Sequence, residues 1–427
     1  MSTTEAEPKN KKTFTISALG CRTNQYEAQA FRDQLIQLGY TQALEGETAD
    51  VCIVNTCTVT ESADSNSRHL VRSLIKHNPD AKMVVTGCLA EGNPDSLKSI
   101  SGVHQVVSNK DKEQLVNILL PDADVPEFAI KHFDAHTRAF VKVQDGCNSF
   151  CTYCIIPYVR GRSRSRTIDE VVKEVEGLVA TGFKEVVITG INVGDFDGAV
   201  TPAKKLVDLV QAVDNVPGLK RLRISSIDPD EVDDDLLNAV MNGKNTCHSM
   251  HIVLQAGSNV TLKRMNRKYT RQVFFETVRR LLDHDPDFTF TTDIIVGFPG
   301  ETDADFEETL EVMKEVRFAK VHMFPYSARA RTKAALYPNK VPHDVIQERK
   351  AKVLALAEQI GYELRSEYVG RTMEVLTESL MEGEYISGHT SNFLSVLLPK
   401  EGLEPNQLVM VQLLENTAEG LIGKVVG

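Results

Sequence analysis

No stretch of this 427-residue chain approaches the ~20 consecutive apolar residues that a membrane-spanning helix requires. No membrane role is therefore expected. The first twelve residues are polar and charged and lack the apolar core of a secretory signal, so residues 1–12 read as a short disordered lead-in. Positive charge is also short. With 48 Lys and Arg against 59 Asp and Glu, the net charge of −11 argues against a globally basic nucleic-acid binder. Charge distribution decides such binding more than the sum does, so the positions of the arginines matter. Eight cysteines in a chain without a signal point to reduced thiols and metal rather than disulfides, and to a cytoplasmic location. The remainder, 42% hydrophobic and 25% charged, is that of an ordinary soluble protein. The length allows two or three domains, because single cores rarely grow past about 250–300 residues.

Three of the cysteines, Cys147, Cys151 and Cys154, stand at Cys-x3-Cys-x2-Cys spacing in one short run. Three thiolates can hold a four-iron, four-sulfur cluster by three corners and leave the fourth iron open. A structural zinc site would need a fourth ligand, and no obvious Cys or His stands beside the triplet. Cys21, Cys57 and Cys88 are scattered in sequence but equivalent in position. Each follows a predicted strand, at Phe14 to Leu19, Val51 to Val54 and Lys82 to Thr86, with a fourth strand at Gln105 to Val107. In open α/β sheets that strand end is where ligands bind, so three thiols on one edge can share one cluster. Gly20 and Gly87 suit a backbone that turns sharply beside a bulky group. The alternative is three buried core cysteines, since cysteine is common in cores. Cys52, inside a strand, reads as core, and Cys247 has no partner at ligand spacing.

The Cys147, Cys151, Cys154 run, with Tyr153 before its third cysteine, resembles the signature of the radical S-adenosylmethionine enzymes. Leu19-Gly20-Cys21-Arg22-Thr23-Asn24, Asn55-Thr56-Cys57-Thr58-Val59-Thr60, Thr86-Gly87-Cys88 and Arg160-Gly161-Arg162-Ser163-Arg164-Ser165-Arg166 resemble the methylthiotransferases of that superfamily. The resemblance covers nearly the whole chain from about Thr13. It implies two 4Fe-4S clusters: one on Cys147, Cys151 and Cys154 that binds and cleaves S-adenosyl-L-methionine, and an auxiliary one on Cys21, Cys57 and Cys88 that carries the sulfur to be delivered. It also implies an electron donor and a sulfur source, neither identified by the sequence. No side-chain acid or base is assigned, because the cofactors carry the chemistry.

The expected fold class is α/β in three parts. Residues 13–128 form an open α/β cluster domain, residues 133–365 a partial (β/α)6 radical barrel with a connecting helix, and residues 366–427 a small all-β, OB-like (TRAM) barrel. The central strands are expected at Ala139 to Val143, Glu185 to Thr189, Arg221 to Ser225, His251 to Leu254, Phe288 to Val296 and Lys320 to Phe324. Active sites of such barrels lie at the C-terminal face. There the resemblance implies that Tyr153, Gly190, Asn192, Ser225, Gln255, Asp293 and Gly297 hold S-adenosylmethionine. A helix from Asp344 to Tyr368 leads to five short β patterns, a class that often binds oligonucleotides, with a structural cap as the alternative.

Arg160, Arg162, Arg164 and Arg166 alternate with small residues, so an extended segment would project all four from one side toward phosphates. A solvated basic loop paired with carboxylates is the plainer alternative. Lys263-Arg264-Met265-Asn266-Arg267-Lys268 forms a second basic set. Within the family, Arg223 to Pro229, Lys263 to Thr270 and Thr189 to Phe196 look most like the branch that modifies N6-threonylcarbamoyladenosine at tRNA position 37. The expected partner is a tRNA anticodon stem-loop, read through splayed bases. Other branches act on N6-isopentenyladenosine or on an aspartate of ribosomal protein S12, and a non-catalytic iron–sulfur RNA-binding protein is the alternative of another class. Val253, Ala256 and the segment Arg329 to Arg331 depart from the family pattern without removing a cysteine.

Overall fold

The computed structural model describes residues 12–133, 136–381 and 383–426. The chain divides into two compact units. Unit one runs to His132 and takes in Ile155–Gly161; unit two holds Phe133–Cys154 and everything from Arg162 onward.

Unit one is built on β1 (Thr13–Ala18), β2 (Thr41–Gln42), β3 (Val51–Thr56), β4 (Lys82–Gly87) and β5 (Val103–Val106). They form one parallel sheet in the order β2-β1-β3-β4-β5. All six residues of β3 are buried, as expected for a parallel strand covered on both faces. Alternate side chains serve opposite cores. Val51 and Ile53 pack with Phe14, Phe31 and Leu35, whereas Cys52 and Val54 pack with Val71, Met83 and Leu97. Cys52 is thus the core residue its sequence suggested. Helix α1 (Arg22–Gln37) follows β1, α2 (Glu61–His77) follows β3 and α3 (Cys88–Gly92) follows β4. Thr60 caps α2 by accepting from the Ala63 N–H, and Glu61 and Asp64 favour its positive N-terminal end. A short helix α4 (Ile156–Val159) completes the unit.

Unit two carries six parallel strands, β6 (Arg138–Lys142), β7 (Glu185–Thr189), β8 (Arg221–Ile224), β9 (Ser249–His251), β10 (Thr289–Val296) and β11 (Lys320–Pro325). Each main ladder joins strands that are neighbours in the chain, in two three-stranded sets. The bridges Leu222 to Thr246 and Ile227 to Ile252 join the sets. The result is the expected incomplete barrel. The fourth strand differs from its predicted span of His251 to Leu254: regular pairing covers Ser249–His251, and Gln255 just beyond adopts a left-handed φ of 64°.

Helix α5 (His343–Ser366) leads to β12 (Thr372–Leu380), β13 (Tyr385–Thr390), β14 (Ser395–Pro399), β15 (Leu408–Asn416) and β16 (Leu421–Val425). They close a barrel in the order β12-β13-β14-β16-β15, an OB-like arrangement around Val375, Ile386, Val396, Leu398, Val411, Leu413 and Leu421. This barrel has its own core yet clusters with the (β/α)6 part. The Arg221 guanidinium donates to the His389 and Glu374 carbonyls at 2.8 and 2.9 Å, and Arg138 pairs with Glu378 at 2.6 Å. The buried Arg223 donates to Glu185 at 2.9 Å and lies over the Phe393 ring. Burial opposes ionisation of Glu185, but Arg223, Arg138 and Arg221 together outweigh it and hold the carboxyl below its usual value. Among the described residues, no helix is long and apolar enough to cross a membrane.

Candidate functional site

The run from Cys147 to Cys154 leaves the first barrel strand and is fastened from three directions. Gln144 holds its start: the side-chain amide donates to Gly146 O at 2.7 Å and Ser163 Oγ at 2.8 Å, while its oxygen accepts from the Ile191 and Asn192 N–H groups. The Thr152 N–H donates to Met265 O and its hydroxyl to Arg264 O, both at 2.9 Å. Asn266 reaches the Phe150 carbonyl at 3.2 Å. Arg267 donates from Nη1 to Cys151 Sγ at 3.0 Å and pairs closely with Asp228. The second basic set is therefore partly a clamp on the cysteine loop. Lys263 and Lys268 are exposed, but the Arg267 side chain is only 7% exposed. The sequence does not mark Gln144 or Arg267 as site residues, because a lone polar residue at a strand end and an arginine in a basic run carry no distinctive spacing.

The residues expected at S-adenosylmethionine fall just beyond the barrel strands or in the cysteine loop, except Asp293, which lies within β10. Tyr153 packs edge-on to Phe298, and burial pushes its hydroxyl well above the usual range. Asn192 donates to Glu231 at 3.0 Å. Burial, reinforced by the charge of Asp228, lifts the Glu231 carboxyl to about 7. Ser225 is buried within 3.5 Å of Thr189. Asp293 lies 3.4 Å from His251 Nε2, and His251 Nδ1 meets Thr291 Oγ1 at 2.9 Å. Among the described residues Gln255 Oε1 is buried with no hydrogen-bond partner, the condition of an acceptor prepared for a bound group. Two glycines have packing reasons of their own. A Cβ at Gly190 would come within 2.9 Å of Gln144 Oε1, and Gly297, at φ 76°, presses against Ile346 of α5. Of the departures from the family pattern, Ala256 lies in an apolar cluster against which Tyr153 packs, and Val253 is buried.

Cys21, Cys57 and Cys88 follow β1, β3 and β4 of unit one, on one edge of the sheet. Cys21 is exposed, whereas Cys57 and Cys88 are buried. They are close enough that Cys88 and Cys21 both oppose ionisation of the Cys57 thiol, and Cys21 that of Cys88. Burial pushes the Cys57 thiol up to about 11 and raises Cys88 as well, while Arg160 favours the Cys88 thiolate. Both glycines of this edge are left-handed, Gly20 at φ 93° and Gly87 at φ 96°. A Cβ on Gly20 would lie 2.8 Å from Cys57 Sγ, and one on Gly87 would meet Asn55 and the Thr56 backbone. Among the described residues no three His, Cys, Asp or Glu converge tightly enough for a single metal ion. Three soft sulfur donors per site, without oxygen ligands, instead suit an iron–sulfur cluster, whose separate irons each take one thiolate.

The four arginines after the cysteine loop do not share one role. Arg160 is 3% exposed and its phosphate-binding role is corrected: the side chain lies inside unit one. It caps α4 rather than starting an extended segment, so the assumed alternation begins one residue too early. Arg166 is turned inward onto Glu174 at 2.5 Å and the Lys142 carbonyl at 3.0 Å. Arg162 and Arg164 are exposed. Arg162 lies over the Phe150 ring, and Arg164 stands 3.8 Å from Asp145.

Comparison with known proteins agrees with this geometry. The radical SAM superfamily model matches residues 141–313, and a model described as uncharacterized protein family UPF0004 matches residues 13–108. The chain is 50% identical over 420 residues to the threonylcarbamoyladenosine tRNA methylthiotransferase MtaB of Chlamydia pneumoniae, covering 97% of this chain and 99% of that one. It is 36% identical to the Bacillus subtilis protein of the same name, covering 94% of each. A tRNA-2-methylthio-N(6)-dimethylallyladenosine synthase of Acetivibrio thermocellus is 34% identical, with 88% and 82% covered. Among solved structures, the radical S-adenosylmethionine methyltransferase TsrM of Kitasatospora setae shares the fold, with a TM-score of 0.53 at 13% identity over 87% of this chain and 79% of that one. With the barrel, its loop of three cysteines and similarity along almost the full length, the chain belongs to the methylthiotransferase family of radical S-adenosylmethionine enzymes.

Proposed function

We propose that this enzyme places a methylthio group on C2 of N6-threonylcarbamoyladenosine at position 37 of tRNA. The observation that carries this reading is the 50% identity, end to end, with a protein named for that substrate, alongside lower identity to one named for dimethylallyladenosine. Cys147, Cys151 and Cys154 would hold the cluster that binds S-adenosylmethionine. Cys21, Cys57 and Cys88 would hold a second 4Fe-4S cluster. When bound, these groups supply the radical, the methyl group and the sulfur, chemistry beyond any side chain acting on an unactivated C–H bond.

The protein's part is to bind, orient and exclude. Gln144, Met265 and Arg267 fix the cysteine loop, so that its sulfurs keep one arrangement. Asn192 and Glu231, with the orphaned Gln255 oxygen, offer polar contacts for the amino, ribose or adenine groups of S-adenosylmethionine. Exposed Arg162 and Arg164 supply positive charge for the phosphates of an anticodon stem-loop, within a chain that is acidic overall. An electron donor and a sulfur source complete the set of partners, because neither electrons nor sulfur come from a side chain.

Mass spectrometry of tRNA nucleosides from a strain lacking the gene tests the substrate. Loss of 2-methylthio-threonylcarbamoyladenosine with retention of its unthiolated precursor is expected. Persistence of that nucleoside beside loss of the isopentenyl product would overturn the assignment. Anaerobic iron and sulfide analysis of the Cys21→Ala, Cys57→Ala, Cys88→Ala chain tests the second cluster, with four irons fewer than the parent expected for two clusters of four.

A further inference from the structure

Each cysteine triad is accompanied by one arginine whose N–H meets a cysteine sulfur and whose guanidinium is held by a carboxylate. In unit two Arg267 donates to Cys151 and pairs with Asp228. In unit one Arg160 donates from Nε to Cys88 Sγ at 3.3 Å. Its Nη1 donates to Glu27 at 3.1 Å and its Nη2 to Asn24. Arg160 and Glu27 are both fully buried at the side chain. Glu27 also pairs with Lys112 at 2.5 Å and accepts from Asn55 Nδ2 at 2.9 Å. Asn24 donates back to the Leu19 and Thr56 carbonyls, which immediately adjoin the strand ends bearing Cys21 and Cys57. The arginine is thus fixed by the same segments that present the thiols.

We propose that Arg160 is a positioning residue for the auxiliary cluster, raising its reduction potential by placing a permanent positive charge and one N–H against the Cys88 thiolate. The proposal rests on the two-cluster reading above. Reduction adds negative charge to a cluster, so a buried cation and a hydrogen bond to a ligand sulfur favour the reduced form. An arginine does not titrate in proteins, so this influence persists at every working pH. Glu27 has two effects of opposite sense: it holds the guanidinium in place, and its negative charge offsets part of the field. Arg160 thereby acts through Cys88, with no substrate contact required of it.

The test uses the full-length chain with Cys147, Cys151 and Cys154 changed to alanine, reconstituted anaerobically so that only the unit-one cluster is present. Iron and sulfide content comes first. If this chain takes up no cluster, the two-cluster reading itself fails, and Arg160 has nothing to tune. With the cluster in place, a potentiometric titration followed by electron paramagnetic resonance reads the midpoint. Arg160→Gln is expected to favour the oxidised form about tenfold, a fall of ~59 mV for one electron. Arg160→Lys, which keeps the charge, should recover at least half of that fall. Glu27→Gln keeps a side-chain oxygen to accept from the Arg160 guanidinium and removes only the negative charge, so it should move the midpoint the other way, upward. An unchanged midpoint in Arg160→Gln at full iron content overturns the proposal. Should Arg160→Gln fail to retain iron, Glu27→Gln decides, and a midpoint that stays or falls there overturns it equally.

Discussion

Glu231 is held as a carboxyl that changes charge near neutral pH, lifted to about 7 from 4.5 chiefly by burial. A folded value above the unfolded one means that the native state prefers the protonated form. The associated stability is complete below the unfolded value and is lost as pH rises through the folded one. Glu231→Gln removes that loss. The variant should match the parent near pH 4 and exceed it by about 3 kcal/mol above pH 7.5, read as a growing gap between the two melting temperatures of the metal-free chains. Arg164 is a different kind of residue, exposed and beside the loop. Arg164→Ala should weaken tRNA binding at all sequences and reduce the slope of log affinity against log salt by about 1, measured by filter binding across a salt series. Arg160 and Arg164 are indistinguishable in the alternating sequence pattern. Only the helix at Ile156–Val159 separates them, because it ends the chain's excursion into unit one with Arg160 turned inward. The placement of Cys21, Cys57 and Cys88 just beyond three strands of one sheet, by contrast, was legible from the sequence.

At the level of elements, sheet edges do the positioning, and left-handed glycines make those edges tight. Gly87 closes β4 at φ 96° with Asn55 and Thr56 against the position of its absent Cβ. Gly87→Ala should lower stability by roughly 3 kcal/mol, combining the strain of a left-handed alanine with the clash, as read by urea denaturation. It should also lower iron uptake in unit one, since Cys88 is the next residue. The strands of unit one were readable because buried parallel strands are short apolar runs ended by polar or glycine residues. The fourth barrel strand was harder: Val253 and Leu254 continue the apolar run, yet regular pairing stops at His251 and the backbone reverses its φ at Gln255. Apolar pattern alone does not report such a turn. The clamp from Arg264 to Arg267 was likewise hidden, because its bonds to the cysteine loop join residues more than a hundred positions apart.

For the molecule as a whole, the terminal barrel is part of what stabilises the catalytic barrel. Arg221 and Arg138 find the His389 carbonyl, Glu374 and Glu378 there, and Thr289 donates to the Asn392 carbonyl. A chain ended after Ser366 leaves these buried groups without those partners. Its remaining barrel should lose about 3 kcal/mol or more, seen as a lowered melting temperature in the metal-free state and not merely as weaker RNA binding. Unit one is discontinuous in the opposite sense, borrowing Ile155–Gly161 from beyond the radical motif. Synthesis on the ribosome proceeds from the N-terminus, and Cys88 precedes Arg160 by 72 residues. At the usual 5–20 residues per second, the nascent chain carries all three unit-one thiols for roughly 4–15 s before their arginine is made. On the two-cluster reading, any iron delivered in that interval would meet three thiols still lacking the buried cation that Arg160 sets against Cys88.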